Sequence, residues 1–347
     1  MRRVILALAI MLGVWNHIKN ETRVVDASHW ALEWFGFLPG KRESRRFVGQ
    51  YTLTEADLFT SKPFADAIAF GGWPIDTHPP EGMDAPDDPP CVQHHLPFLY
   101  DIPLRACVAS NLRNLFFAGR NISATHIAFA STRVMATCAA VGQGVGTAAA
   151  LALRRKIEPA DIAADDHLRT EIQQRLLRDD AYIIGLSTHD SADLARDAAV
   201  FASSSQPGAG PELVLSGQTR SVHGSMRDPE SDHSGAANLW EDVLSSLNSG
   251  VTNARHTSAP ADRARPGLHR WMSEPSEGFP AWIELRWSRR VEVAEVQLVF
   301  DTGMHRFLTL SQADGYTRRM EWGHAQPETV RDYRIVLLTG DEGVDFV

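Results

Sequence analysis

The chain is poor in the features that would place it quickly. It has three cysteines in 347 residues, Cys91, Cys107 and Cys138. They are odd in number, far apart and without a C-x-x-C pair, which excludes a disulfide framework and a cysteine-based zinc ribbon. Positive charge is also short: 34 Lys and Arg against 43 Asp and Glu give a net charge of −9. A nucleic-acid partner is therefore not expected, since such proteins need a basic face to displace counterions from phosphates. The apolar run that opens the chain is short as well. The run Val4–Val14 after Met1-Arg2-Arg3 imitates a secretory signal, yet no small-residue cleavage site follows it. It is also shorter than the roughly 20 residues needed to span a bilayer. A buried amphipathic helix is the expectation for residues 3–19, no membrane partner is expected, and the compartment stays open. The sequence carries no strand–GxGxxG–helix unit, the device that holds the ADP half of a dinucleotide.

What is present describes a globular protein, with 44% hydrophobic and 22% charged residues, long enough for two domains. In residues 3–19, Val4, Ile5, Leu8, Leu12 and Trp15 share one broad helical face,. Arg46–Leu53 alternates as a strand would, and Thr54-Glu55-Ala56-Asp57 supplies a helix cap ahead of Leu58,. Residues 71–97 are rich in Pro and Gly, too long for a simple connection, and hold His78, His94 and His95,. No further ligands stand at a spacing that would complete a metal site around His94-His95, so no metal is expected. Leu112–Ala118 reads as a short buried strand ending at Gly119-Arg120. A long Ala- and Gly-rich helix is expected over Ser131–Arg155 and another over 161–180. Residues 188–210, rich in Ser, Pro and Gly, read as a linker. Beyond them Ala281–Trp287, Val291–Phe300 and Tyr333–Leu338 alternate with period two, the pattern of half-buried strands,.

The most informative stretch runs from Asn114 to Ala150. A strand ends in Gly119, where backbone can approach a ligand closely. A polar loop through Asn121 and His126 follows, and then a helix expected to present Ser131, Thr132 and Arg133 in its first turn. The N–H groups at such a helix start suit an anion or an electron-rich carbonyl edge. Gly142-x-Gly144-x-Gly146 is no phosphate loop: residue 147 is Thr where Gly or Ala is needed, and no strand leads in,. Together with Ala148–Ala150 these glycines are expected to make a side-chain-poor face for close packing.

The block Asn114–Ala150, with Gly40–Phe47 and Ile102-Pro-Leu-Arg105, resembles the FAD-dependent oxidoreductase family of the glutathione-reductase-like flavoprotein superfamily. The resemblance spans residues 1–187. It implies an α/β fold, here a partial FAD/NAD(P)-binding-type domain lacking its N-terminal Rossmann unit, and FAD as cofactor. A missing N-terminal half supplying the ADP-binding unit is the implied partner. By the same resemblance Gly119, Arg120 and Asn121 line the FAD, while Ser131, Thr132, Arg133 and Val134 meet the flavin ring. His126 is then a candidate acid or base beside the flavin, because taking a hydride from an alcohol or amine needs a proton acceptor. The cationic run Lys41–Arg46 offers Arg45 to an anionic or polar substrate group, with Arg105 a weaker candidate,. Residues 211–347 are similar to a galactose-binding-like (discoidin-type) β-sandwich, expected to be incomplete at Val347. In it Trp282 and Trp287 would be core residues. Two functions stay open on these residues. One is an FAD-dependent oxidoreductase moving a hydride from a polar organic substrate, with a carbohydrate link by analogy. The other is a non-catalytic scaffold or binding protein without bound FAD.

Overall fold

In the computed structural model residues 2–21, 26–36, 43, 45–218, 269–300, 329–339 and 342–346 are described. Two compact units result, residues 1–45 and residues 46–347. The first holds helix α1 (Arg2–Asn16), which runs on as a π-helical turn over His17–Glu21. Lys19 closes the return of the chain, donating to the carbonyls of Ala27, Ser28 and Trp30 at 2.7–2.8 Å. The amphipathic helix is present but not buried: Ile5, Leu6, Ile10, Leu12 and Val14 are all exposed.

The second unit contains one large apolar core drawn from residues 53–183. Its centre is a small antiparallel ladder of β1 (Ala67–Gly71) and β4 (Tyr100–Pro103), bulged between Ala67 and Ala69. A second ladder pairs β2 (Ile75–Thr77) with β3 (Val92–His94). Against β1 lies α4 (Met135–Arg155), and α6 (Asp166–Arg178) packs on both. Gln173 of α6 pins that arrangement by donating to the carbonyls of Ala65 and Ala67. By length and hydropathy α4 could cross a membrane. In this fold its face Val141, Gly144, Val145, Ala148 and Ala152 is buried in the core instead.

Several expectations hold here. Thr54 does cap α2 (Glu55–Phe59), with Asp57 returning the bond to the Thr54 N–H in a reciprocal capping box,. Residues 161–180 do contain a helix, preceded by the single turn α5 (Pro159–Ile162). The architecture mixes helices with small sheets, as an α/β chain requires.

Other expectations need correction. Arg46–Leu53 forms no strand. It threads between residues 105–109 and 121–125, joined by single bridges at Gly49–Ala109 and Leu53–Ala124 and by bonds such as Gln50 N–H to Val108 O at 2.9 Å. A Cβ at Gly49 would come within 2.8 Å of the Arg105 carbonyl, so this seam is too tight for alternation to matter. Leu112–Ala118 likewise gives one bridge, Val108–Phe116, with Leu112 and Leu115 exposed. The helix expected over Ser131–Arg155 is two helices, α3 (His126–Thr132) and α4, broken at Arg133-Val134.

Of the glycine face only Gly144 serves close packing. Its added Cβ would meet the Ile68 carbonyl at 2.8 Å, whereas Gly142 and Gly146 have open space around them. Residues two apart on a helix point to nearly opposite sides, so three glycines at that spacing cannot share one face.

In residues 188–210 the structure has a strand, β5 (Ala199–Ala202), which pairs with β6 (Ile283–Arg286) in place of serving as bare linker. β7 (Ile335–Thr339) pairs with β8 (Glu342–Phe346). The alternating run Val291–Phe300 is not a strand, because alternation supplies a face but no hydrogen-bonding neighbour. Trp240 and residues 219–268 and 301–328 lie outside the described residues. A β-sandwich is not visible among the described ones.

Candidate functional site

Hydrogen bonds from the threaded segment hold the loop after the Leu112–Ala118 stretch in place. The Phe47 N–H donates to Asn121 O at 2.9 Å, Leu53 N–H to Ser123 O at 2.9 Å, and Thr125 N–H to Leu53 O at 2.8 Å. Phe47 also lies against the buried Phe117, ring centroids 5.2 Å apart. So anchored, the chain turns at Gly119 with φ +87°, a left-handed conformation that favours glycine,. An exposed Arg120 follows.

After the turn come two helix starts of opposite character. Thr125 caps α3, its hydroxyl accepting from the Ala128 N–H at 3.2 Å and donating to Glu55 at 2.9 Å. The longer α4 starts at Val134, a side chain with nothing to offer an N–H, and its first residue Met135 is 83% exposed. α2 is capped by Thr54 and α6 by Asp165, and the one-turn α5 opens with Pro159, which has no N–H to satisfy. Among the described α-helices of this unit longer than one turn, α4 alone starts without a side-chain cap. Its first-turn N–H groups and the positive end of its dipole are left for something else.

The charge of Arg120 is felt in the first turn of α4. Burial pushes the Cys138 thiol of α4's first turn up from its ordinary range, and the charge of Arg120 pulls against that shift. One residue before the break, Thr132 is 2% exposed and its Oγ1 has no hydrogen-bond partner among the described residues. An orphaned hydroxyl in so buried a place is costly unless a ligand completes it.

The expected site residues are therefore sorted by the structure. Gly119, Arg120 and Asn121 form the turn, and Val134 stands at the open helix start. Ser131 and Thr132 fall in the last turn of α3 and not in the first turn of α4, a correction that follows from the break at Arg133-Val134. Ser131 is fully buried. It donates to the Trp73 carbonyl at 2.5 Å and accepts from the Tyr100 hydroxyl at 2.6 Å. Burial holds the Tyr100 phenol protonated, its pKa pushed far above the usual value despite the Ser131 bond. Both Ser131 lone-pair and hydroxyl capacity are thus used inside the protein, and Gly71 makes room for the Tyr100 ring. Ser131 fixes α3 against the ladder and does not face a ligand.

Arg133 is also turned away from the helix start. Its Nη2 donates to the Asp76 carbonyl at 3.0 Å and the Asp76 carboxylate at 2.8 Å, and approaches His78 Nε2 at 3.3 Å. Its side chain is only 9% exposed. Arg105 likewise holds the buried Asp66 through two 3.0 Å bonds and lies 5.6 Å from the Tyr51 ring centroid. It braces Asp66 while its own side chain stays 41% exposed. His126 is exposed at the first turn of α3. Arg45 is exposed at the end of the first unit, while residues 37–42 and 44 of its cationic run lie outside the described residues. Sequence reasoning missed Asp76 and Cys91, which meet His78 and Arg133 in space. The signal was Asp76-x-His78 on one shoulder of the Pro-rich loop and Cys91 on the other.

Residues 1–176 match the family model described as FAD dependent oxidoreductase. The chain belongs to that family. Its cofactor is FAD and its general activity is FAD-dependent oxidation and reduction. Comparison with curated proteins and with solved structures finds no match. The residues at the α3–α4 break fit such a group on this structure's own terms. They combine a helix start with uncapped N–H groups, a nearby cation in Arg120, a buried hydroxyl without a partner in Thr132, and a positive-φ glycine with only Asn121 Oδ1 near its open side, at 3.8 Å.

Proposed function

We propose that this family member oxidises a polar organic substrate at the break between α3 and α4, with the flavin ring seated on the start of α4. When bound, FAD accepts the hydride that leaves the substrate carbon. The backbone N–H groups after Val134 would hold the electron-rich carbonyl edge of the ring. They would favour the negative charge that gathers there by a few kcal/mol at most, with Arg120 adding to the same field. Gly119 would let the backbone pass close to the cofactor, and Asn121 and Thr132 Oγ1 would supply polar contacts. His126, one helix length before the break, is placed by this reading as the group that takes the substrate hydroxyl or amine proton.

A carbohydrate-directed role for residues 211–347 is the finer part of the proposal. It rests on the resemblance of the Arg270–Pro275 and Pro280–Leu285 segments to a galactose-binding-like sandwich. Of the two tryptophans expected in a core, Trp287 is half-buried with its indole N–H donating to Leu194 O, whereas Trp282 is 47% exposed and corrects that expectation.

The observation that carries the flavin reading is the uncapped start of α4 beside Arg120. Adding FAD to the purified chain and following flavin fluorescence and absorbance tests it. Saturable binding, weakened by Arg120→Ala, is expected. Binding indifferent to both Arg120→Ala and Val134→Asp would remove the α4 start from the site. For the acid–base role, His126→Gln should remove the base-dependent part of the flavin reduction rate and leave FAD affinity unchanged. Equal reduction rates across the pH range would discharge His126 from it.

A further inference from the structure

The β2–β3 hairpin brings a second chemistry together, independent of the flavin reading. Its register pairs Ile75 with His94, Asp76 with Gln93 and Thr77 with Val92. The next cross-strand position sets His78 opposite Cys91, where the ladder opens into the Pro-rich loop. Asp76, two residues before His78, points to the same face of the hairpin. One ligand atom from each of Asp76, His78 and Cys91 falls within 4.8 Å of the other two, a carboxylate oxygen, an imidazole nitrogen and a thiol sulfur. His78 Nε2 and Asp76 Oδ2 are 3.5 Å apart, and the Cys91 thiol bonds the other Asp76 oxygen.

The imidazole is already oriented as a ligand. His78 Nδ1 lies 2.8 Å from the Pro90 carbonyl, which can only accept, so Nδ1 carries the proton and Nε2 of the neutral ring presents its lone pair,. A backbone carbonyl fixing the far ring nitrogen is the usual support of a metal-bound histidine. Toward that lone pair and the Asp76 carboxylate the structure directs one cationic group, the Arg133 guanidinium. The point where three donor atoms converge is thus a place built for positive charge, at present held by an arginine.

We propose that Asp76, His78 and Cys91 bind a thiophilic divalent cation, Zn2+ by preference, in exchange for the Arg133 guanidinium. Tetrahedral zinc with these donors needs ligand atoms about 3.3–3.8 Å apart, a small readjustment of donor atoms that already lie within 4.8 Å of one another,. The three donors leave a fourth position to water. On binding, the thiol proton leaves to solvent and the thiolate and carboxylate neutralise the ion, so affinity falls as pH falls. Arg133, relieved of Asp76, is free to turn from the hairpin.

Co2+ titration of the full chain, with a non-thiol reductant, tests the site by its thiolate-to-cobalt absorption. One equivalent should bind with that band and be displaced by Zn2+. The band should persist in Cys138→Ser, vanish in Cys91→Ser, and need at least about tenfold more metal in His78→Ala. Arg133→Gln should tighten binding about tenfold, because a competing cation is gone. Absence of a thiolate band in the unmodified chain, or a band that survives Cys91→Ser, overturns the proposal. Circular dichroism on each variant separates lost ligation from lost folding.

Discussion

Thr125 and Val134 are nine residues apart and both begin helices, yet one start is closed and the other open. The Thr125 hydroxyl takes an N–H of α3 and gives its own proton to Glu55, so the cap itself is fully engaged within the protein. At Val134 the chain offers no such group, and α4, three times longer, carries the larger dipole uncompensated,. Proteins cap helices cheaply with Ser, Thr, Asp or Asn, and this one does so at Thr54, Thr125 and Asp165. The cap is withheld at α4, the longest described helix, beside a buried hydroxyl without a partner, and this difference supports the proposal that the cofactor is seated there.

The sharpest way to break that comparison is to close the open start. Val134→Asp should cap α4 and raise stability by about 1 kcal/mol. It should also set a carboxylate against the electron-rich flavin edge and weaken FAD binding by about a hundredfold. Thermal unfolding and FAD titration read the two effects, and their opposite signs distinguish an open site from a merely weak helix end. A variant that gains stability and binds FAD as before would show that the flavin sits elsewhere.

Next in size is a contrast within α4 itself. Gly144→Ala should destabilise by about 1–3 kcal/mol, since the new methyl meets the Ile68 carbonyl,. Gly142→Ala should stabilise by about 0.5–1 kcal/mol, because it adds helix propensity in open space,. Urea unfolding of both variants checks the signs, and equal effects would mean that α4 does not seat on β1 as described.

Opening the closed start should be milder. Thr125→Ala is expected to lower stability by about 1 kcal/mol while leaving FAD affinity alone. A loss of flavin without a loss of stability would reverse the roles assigned to the two helix ends.

The smallest effect is a pH dependence at the other closed start. Burial alone would raise the Asp57 carboxyl, but the Thr54 N–H and hydroxyl, the Tyr51 hydroxyl and Lys62 outweigh it and hold its pKa below the ordinary value. With the folded pKa depressed, its contribution is full above the unfolded pKa of about 3.9 and is lost as pH falls through the lower folded value. Asp57→Asn should therefore destabilise at neutral pH and narrow the gap to the unmodified chain between about pH 4 and pH 2, as measured by chemical denaturation. A gap that stays constant down to pH 2 would show that the carboxylate charge does not matter there.

Local grammar made part of this molecule legible. Thr54 three residues before Asp57 announces a capping box, and the box is there, because cap and helix need only four consecutive residues to agree,. The Asn114–Ala150 block carried the family, and the family carried the cofactor. Less legible were the roles of Ser131 and Arg133. Their spacing suited a helix start, but the start lies at Met135, and their side chains bond Tyr100, Trp73 and Asp76, 31 to 58 residues away. No pattern within a short window can register partners at that separation. The alternation of Arg46–Leu53 and Val291–Phe300 misled for a related reason. A strand exists only where a neighbour at the right distance completes its hydrogen bonds, and period two says nothing about the neighbour.

Taken alone, the order of residues determined that Thr54 caps a helix, that backbone can turn at Gly119, and which family the chain belongs to. Each of these follows from short-range sterics and hydrogen bonding or from a contiguous motif. Only the tertiary structure decided which glycine of α4 touches β1, which way Arg133 turns, and that Asp76, His78 and Cys91 share one point. Those outcomes depend on distances between segments far apart in the chain, which are set by the packing of the common core rather than by any one stretch of sequence.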